Sequence, residues 1–113
     1  MGLDFSHCDA HWSYSGFHRF RCKIAKEIGI DLDSMEGFDG EISWDKIIDP
    51  IQPLLNHSDC DGELTPEECR KVAPRLRELV KDWPDNDYDK HKAIELAKGM
   101  ELAASRNENL EFR

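Results

Sequence analysis

Between residues 69 and 83 the apolar side chains fall at Cys69, Val72, Leu76, Leu79, Val80 and Trp83, the spacing of one face of an α-helix. The residues just before them, "TPEE" from Thr65 to Glu68, form a capping box with proline at the first helical position. Together these signals predict a helix from Pro66 to about Lys81. Pro74 falls inside it and removes a backbone donor, which predicts a bend or a split near Arg70 to Val72.

Two further stretches carry the same period. Phe17, Phe20, Ile24 and Ile28 recur at spacings of three, four and four. Ser13 or Ser15 can cap that helix, and Gly29 followed by Ile30 fits a left-handed stop. Ala93, Leu96, Ala97, Met100, Ala103 and Ala104 predict a third helix to about Ser105. Gly99 costs it about 1 kcal/mol relative to alanine, a sign that another helix approaches there. The tail "NENLEFR" alternates Leu110 and Phe112, the pattern of an extended end laid across a core. Trp12, Trp44 and Trp83 are expected in core or edge packing. A chain of 113 residues with this pattern predicts one small, mainly α domain spanning residues 1–113.

Charge is distributed unevenly. The net charge is −9, yet residues 1–30 and 69–113 each carry about +1, and residues 31–68 carry −11. Such crowding repels itself unless a cation or a basic partner relieves it. No face gathers enough positive charge to release counterions from nucleic acid, and "HRFRCKIAK" reads as the wet side of the first helix. No apolar run reaches the ~18 residues of a membrane span, and no secretory signal is legible, so a soluble cytoplasmic protein is expected. The opening "MGLDFS" meets a short acylation pattern that is often met by chance. The four cysteines are then expected as free thiols.

The acidic stretch is turn-rich from Asp31 to Lys46. A short helix can start at Ser43, and Pro50 and Pro53 limit the chain to two short helical pieces before Asn56. "HSDCDGELTPEE" follows, residues 57 to 68. With Gly62 at its sixth place, Asp59 stands third, Asp61 fifth, Glu63 seventh, Leu64 eighth, Thr65 ninth and Glu68 twelfth.

That register resembles the EF-hand calcium loop, with its oxygen ligands at alternate places, its glycine at the sharp turn and its bidentate acid at the end. The resemblance covers this stretch and the helix after it. It implies that Asp59, Asp61, the Glu63 carbonyl, Thr65 (through water) and Glu68 hold a divalent cation such as Ca2+. His57 stands where the family has aspartate, and an imidazole is softer and one charge short of a carboxylate, so His57 is peripheral and calcium binding is expected to be weak. A second stretch, "FDGEISWDK" from Phe38, parallels "CDGELTPEE" from Cys60. This is similar to the paired loops of the family and implies a short two-stranded ladder with Ile42 opposite Leu64. Met35, Gly37 and Lys46 at its ligand places exclude a second calcium site.

The N-terminal "HCDAHWSYSGFHRFRC" offers a different chemistry. Cys8 with His11, and His18 with Cys22, are two pairs at zinc-like spacings, although the loop between them is short and bulky and makes Zn2+ the less favoured cation. No nucleophile, base and oxyanion site is legible together, so an enzyme is not expected. "MGLDFSHCDAHWSYSGFHRF" is also similar to the start of small bacterial and phage proteins, which implies a bacterial cytoplasmic setting and no particular activity.

Three functions are therefore open: an acidic binding or structural module with a weakly calcium-binding EF-hand-like loop, a metal-free module whose acidic face meets a basic protein partner, and an N-terminal zinc module.

Overall fold

The computed structural model describes residues 2–38, 40–57 and 62–113. Asp59 and Asp61, two of the expected ligands, lie outside the described residues, as does Cys60.

The fold is mainly α. Helix α1, Tyr14–Glu27, starts where the Ser13 hydroxyl accepts the Gly16 N–H at 3.0 Å. It stops at Gly29, φ +79°, where the Ile30 N–H reaches back to the Ala25 carbonyl at 3.0 Å. The acidic stretch contributes two 3-10 turns, Leu32–Ser34 and Trp44–Lys46, and one α turn, α2, Gln52–Leu55. The two short pieces expected before Asn56 are the second 3-10 turn, capped by Ser43, and α2.

Helix α3, Pro66–Val80, carries the predicted capping box in full. It runs unbroken through Pro74, so of the expected bend or split the split does not occur. Pro74 lies on the exposed side, while Cys69, Val72, Ala73, Leu76 and Val80 are buried, so one lost backbone bond is outweighed by the apolar stripe. Helix α4, Tyr88–Ser105, packs along α3 and forms the main helix pair of the core. Asp87 caps it, and Asn107 at φ +55° ends it, with the Glu108 N–H on the Ala103 carbonyl at 2.9 Å. No described helix is long and apolar enough to cross a membrane.

Gly99 is buried, but what approaches it is a turn and not a helix. A Cβ built there would lie 2.8 Å from the Cys8 Cβ and 2.9 Å from its Sγ. The turn belongs to a small hairpin, β1 Leu3–Asp4 against β2 His11–Trp12, with Leu3 opposite Trp12.

The loop strand β3, Gly62–Leu64, pairs antiparallel with β4, Leu110–Phe112, in the register Leu64 opposite Leu110. The tail thus crosses the core as its alternation predicted. The ladder expected between Leu64 and Ile42 is not formed. Ile42 bridges Met35 instead and is 44% exposed. The tail offers Leu64 two buried apolar neighbours, Leu110 and Phe112, and so wins the pairing. On its other side β4 meets the N-terminal strand, with Phe5 opposite Phe112 and the Ser6 N–H on the Glu111 carbonyl at 3.0 Å. Phe5, Trp12, Phe17, Phe20 and Phe112 form one aromatic cluster at this junction. All three tryptophans are buried, as expected.

Candidate functional site

The described part of residues 57–68 begins with His57 and resumes at Gly62. Gly62 has φ +106°, a conformation side chains rarely adopt, and a Cβ there would meet the His57 ring at 2.9 Å. Because a carbonyl only accepts, His57 Nε2–H must donate to the Glu63 carbonyl, at 3.2 Å. That carbonyl is the one the resemblance assigned to a cation.

Thr65 and Glu68 are similarly engaged. Thr65 Oγ1 accepts the Glu68 N–H at 3.2 Å, and Glu68 Oε1 accepts the Thr65 N–H at 2.9 Å. Of the expected ligand set, then, the three described members Glu63, Thr65 and Glu68 each hold a hydrogen bond within the protein. A cation using all of them would share the Glu63 carbonyl with His57 and compete with the cap for the Glu68 carboxylate.

Beneath the loop lies a charge that the sequence pattern hid. Arg21 on α1 was expected on a wet face, and it is wholly buried. Its Nη1 donates to the Leu55 carbonyl at 3.1 Å and the His57 carbonyl at 2.5 Å. Its guanidinium lies 4.7 Å from the Phe17 ring centroid and 5.3 Å from that of Phe38. Burial pushes its pKa down to about 10, which leaves it cationic at neutral pH. The spacing carried a signal: Arg21 follows Phe17 by four and precedes Ile24 by three, and so sits in the apolar stripe itself. A buried cation at the base of a segment with net charge −11 supplies part of the counter-charge that segment needs.

The N-terminal cysteines and histidines are not brought to one place. Cys8 packs against Gly99, while His11 Nδ1 is 2.8 Å from Asp4 Oδ1 in the hairpin. His7 bridges Ser6 Oγ at 2.6 Å and Glu108 Oε1 at 2.9 Å. Only the second expected pair survives as a pair: His18 Nε2 is 3.5 Å from Cys22 Sγ on the same face of α1. Asp33, from the 3-10 turn after Gly29, joins them with Oδ1 at 3.0 Å from the same nitrogen. The three ligand atoms lie within 4.8 Å of one another, and among the described residues this is the one group of three or more such side chains so placed. The sequence reading missed Asp33, since nothing in its local pattern marks it among twelve acids.

The three described thiols are held toward their protonated form. Burial pushes up the pKa of Cys8, Cys22 and Cys69, the last to about 11.

The acidic segment also shows apolar groups to solvent. Ile48 is 97% exposed, and Ile42 stands among the exposed acids Glu36, Glu41 and Asp45. The Glu36 N–H donates to the Ile42 carbonyl at 3.0 Å, which brings the backbone of Glu36 against that of Ile42.

No protein-family model matches this sequence, and no curated protein or solved structure matches it.

Proposed function

We propose that this chain is a small acidic protein-interaction module with an EF-hand-like loop organised from within, one that takes up a divalent cation only weakly. The observation that carries the reading is the His57 imidazole on the Glu63 carbonyl, with Arg21 on the carbonyl of His57 itself. Histidine and arginine N–H groups there do the ordering that calcium does in the family the loop resembles. A cation would gain the loop's carboxylates but compete with the His57 bond for the Glu63 carbonyl, so calcium affinity falls to the millimolar range of weak extracellular-type sites or weaker.

The working surface is then the acidic segment 31–49. Exposed carboxylates near solvent-facing Ile42, with Ile48 exposed farther along the same segment, suit a partner segment that is basic and amphipathic. Charge would steer the encounter, and the two isoleucines would supply the apolar contact.

One amide-resolved NMR titration tests both halves. A lysine/leucine peptide added to the metal-stripped protein should shift resonances of residues 31–49 and lose its effect at high salt. Calcium should perturb residues 57–68 only at millimolar concentration. Micromolar calcium binding that Glu68→Gln abolishes would overturn the internal ordering of the loop. Peptide shifts confined to α3 and α4, or none at all, would overturn the acidic docking surface.

A further inference from the structure

The geometry points to a transition-metal site, of a kind suited to Zn2+, formed by His18, Cys22 and Asp33. It uses none of the expected loop ligands and goes beyond the function proposed above.

The first argument is distance. Zinc bonds of about 2.0 Å to nitrogen and oxygen and about 2.3 Å to sulfur, set at tetrahedral angles, place nitrogen and sulfur about 3.5 Å apart and nitrogen and oxygen about 3.3 Å apart. His18 Nε2 stands 3.5 Å from Cys22 Sγ and 3.0 Å from Asp33 Oδ1. One nitrogen therefore faces both other ligand atoms at close to the edges of a zinc tetrahedron. A His18–Asp33 ion pair alone would not need the sulfur turned into the same space.

The second argument is support. His18 and Cys22 are four residues apart on α1, a rigid spacing that puts both on one face. The His18 ring lies against Phe38, with centroids 5.7 Å apart and planes 29° from parallel. Asp33 is held in its turn by Asp31, whose Oδ1 accepts the Asp33 N–H at 3.2 Å and whose Oδ2 accepts the Ser34 hydroxyl at 3.1 Å. The His18 ring is thus packed by a neighbour and the turn that carries Asp33 is fixed by another, the kind of support a metal site has.

The third argument is ligand type. One imidazole, one thiolate and one carboxylate form a mixed set that selects zinc or a similar borderline cation over calcium or magnesium, which prefer oxygen alone. Binding would release the Cys22 thiol proton and move the His18 proton to Nδ1, freeing Nε2. The His18 side chain is 29% exposed and that of Asp33 68%, so the fourth position opens to solvent, where water or a donor from a partner can enter. A cation here would tie α1 to the turn that begins the acidic segment.

Cobalt(II), the spectroscopic stand-in for zinc, provides the test. Added to the metal-stripped, reduced protein it should give a thiolate-to-cobalt charge-transfer band that saturates at one ion per chain and is displaced by Zn2+. Cys22→Ser should abolish the band, while His18→Gln and Asp33→Asn should each weaken affinity at least about tenfold. Cys8→Ser, Cys60→Ser and Glu68→Gln should leave it unchanged, which separates this site from the loop. The side chains of His18 and Asp33 are partly or largely exposed, so circular dichroism should show these variants folded. Absence of the band, its persistence in Cys22→Ser, or wild-type affinity in Asp33→Asn would overturn the three-ligand site.

Discussion

The imidazole of His57 lies against the ring of Phe112, with centroids 3.9 Å apart and planes 28° from parallel. The same ring holds the Glu63 carbonyl, so one side chain ties the start of the loop both to its seventh residue and to the C-terminal strand.

Replacing His57 by aspartate separates these structural bonds from metal affinity. His57→Asp supplies the carboxylate that the EF-hand pattern places first, but it loses the aromatic stack and the carbonyl bond and adds a charge to an acidic segment. In the absence of metal its stability should fall by about 1–3 kcal/mol. Calcium should then raise its melting temperature far more than that of the parent. Thermal melts with and without millimolar calcium read this directly, and equal calcium responses would argue against a calcium-loop geometry.

Arg21 makes the complementary case from below. Arg21→Met keeps the length and the apolar stem but leaves the Leu55 and His57 carbonyls without their buried donor. The expected loss is about 3 kcal/mol or more in urea unfolding. Arg21→Lys should recover only part of it, because an ammonium is more strongly hydrated and lacks the delocalised guanidinium that lies over the Phe17 and Phe38 rings.

Arg21 and Asp33 also show where sequence reasoning stops. The helices were legible because apolar spacing, the Ser13 and Thr65 caps and the Gly29 stop all agree on the same boundaries. A charged side chain in the stripe was read as solvated, since periodicity assigns a face by hydropathy and cannot see two carbonyls waiting for a donor. The tail's alternation revealed a strand but not its neighbour. Leu64 chose Leu110 over Ile42 through a contact between segments far apart in the chain, which no local pattern encodes. Asp33 reaches the His18–Cys22 pair for the same kind of reason, by the path of the chain after Gly29. The turn at Gly62 and the capped helix after it were legible, whereas the engagement of Glu63 by His57 depends on side-chain geometry alone.

The segment before α2 is pinned to α3 by a bidentate pair. Arg75 Nε and Nη2 donate to the two carboxylate oxygens of Asp49 at 3.0 and 2.9 Å. Burial pushes the Asp49 pKa up, but the Arg75 bonds and the Ile51 N–H outweigh it and leave it below the ordinary 3.8. A carboxylate so depressed contributes stability that is complete above its unfolded value and is lost as pH falls through the folded one. Arg75→Met should therefore cost about 1–2 kcal/mol at neutral pH. That difference from the parent should shrink as urea melts are moved into strong acid, below pH 3.8. A gap independent of pH would mean that Arg75 acts through packing and not through Asp49.

Gly99 sets intrinsic helix propensity against packing. In an open helix Gly99→Ala would stabilise by about 1 kcal/mol. Here the new methyl would fall 2.8 Å from the Cys8 Cβ and 3.5 Å from the backbone carbon of His7. His7 sits at φ +70° and is bonded to Ser6 and Glu108, so the turn has little freedom to retreat. Overpacking of this kind costs about 1–3 kcal/mol, which should exceed the propensity gain and make Gly99→Ala a net loss. Removing the opposing side chain should relieve it. In a double-mutant cycle Gly99→Ala should be less damaging, or even stabilising, in a Cys8→Gly background. Strict additivity of the two changes would show that the N-terminal turn does not press on α4 at this point.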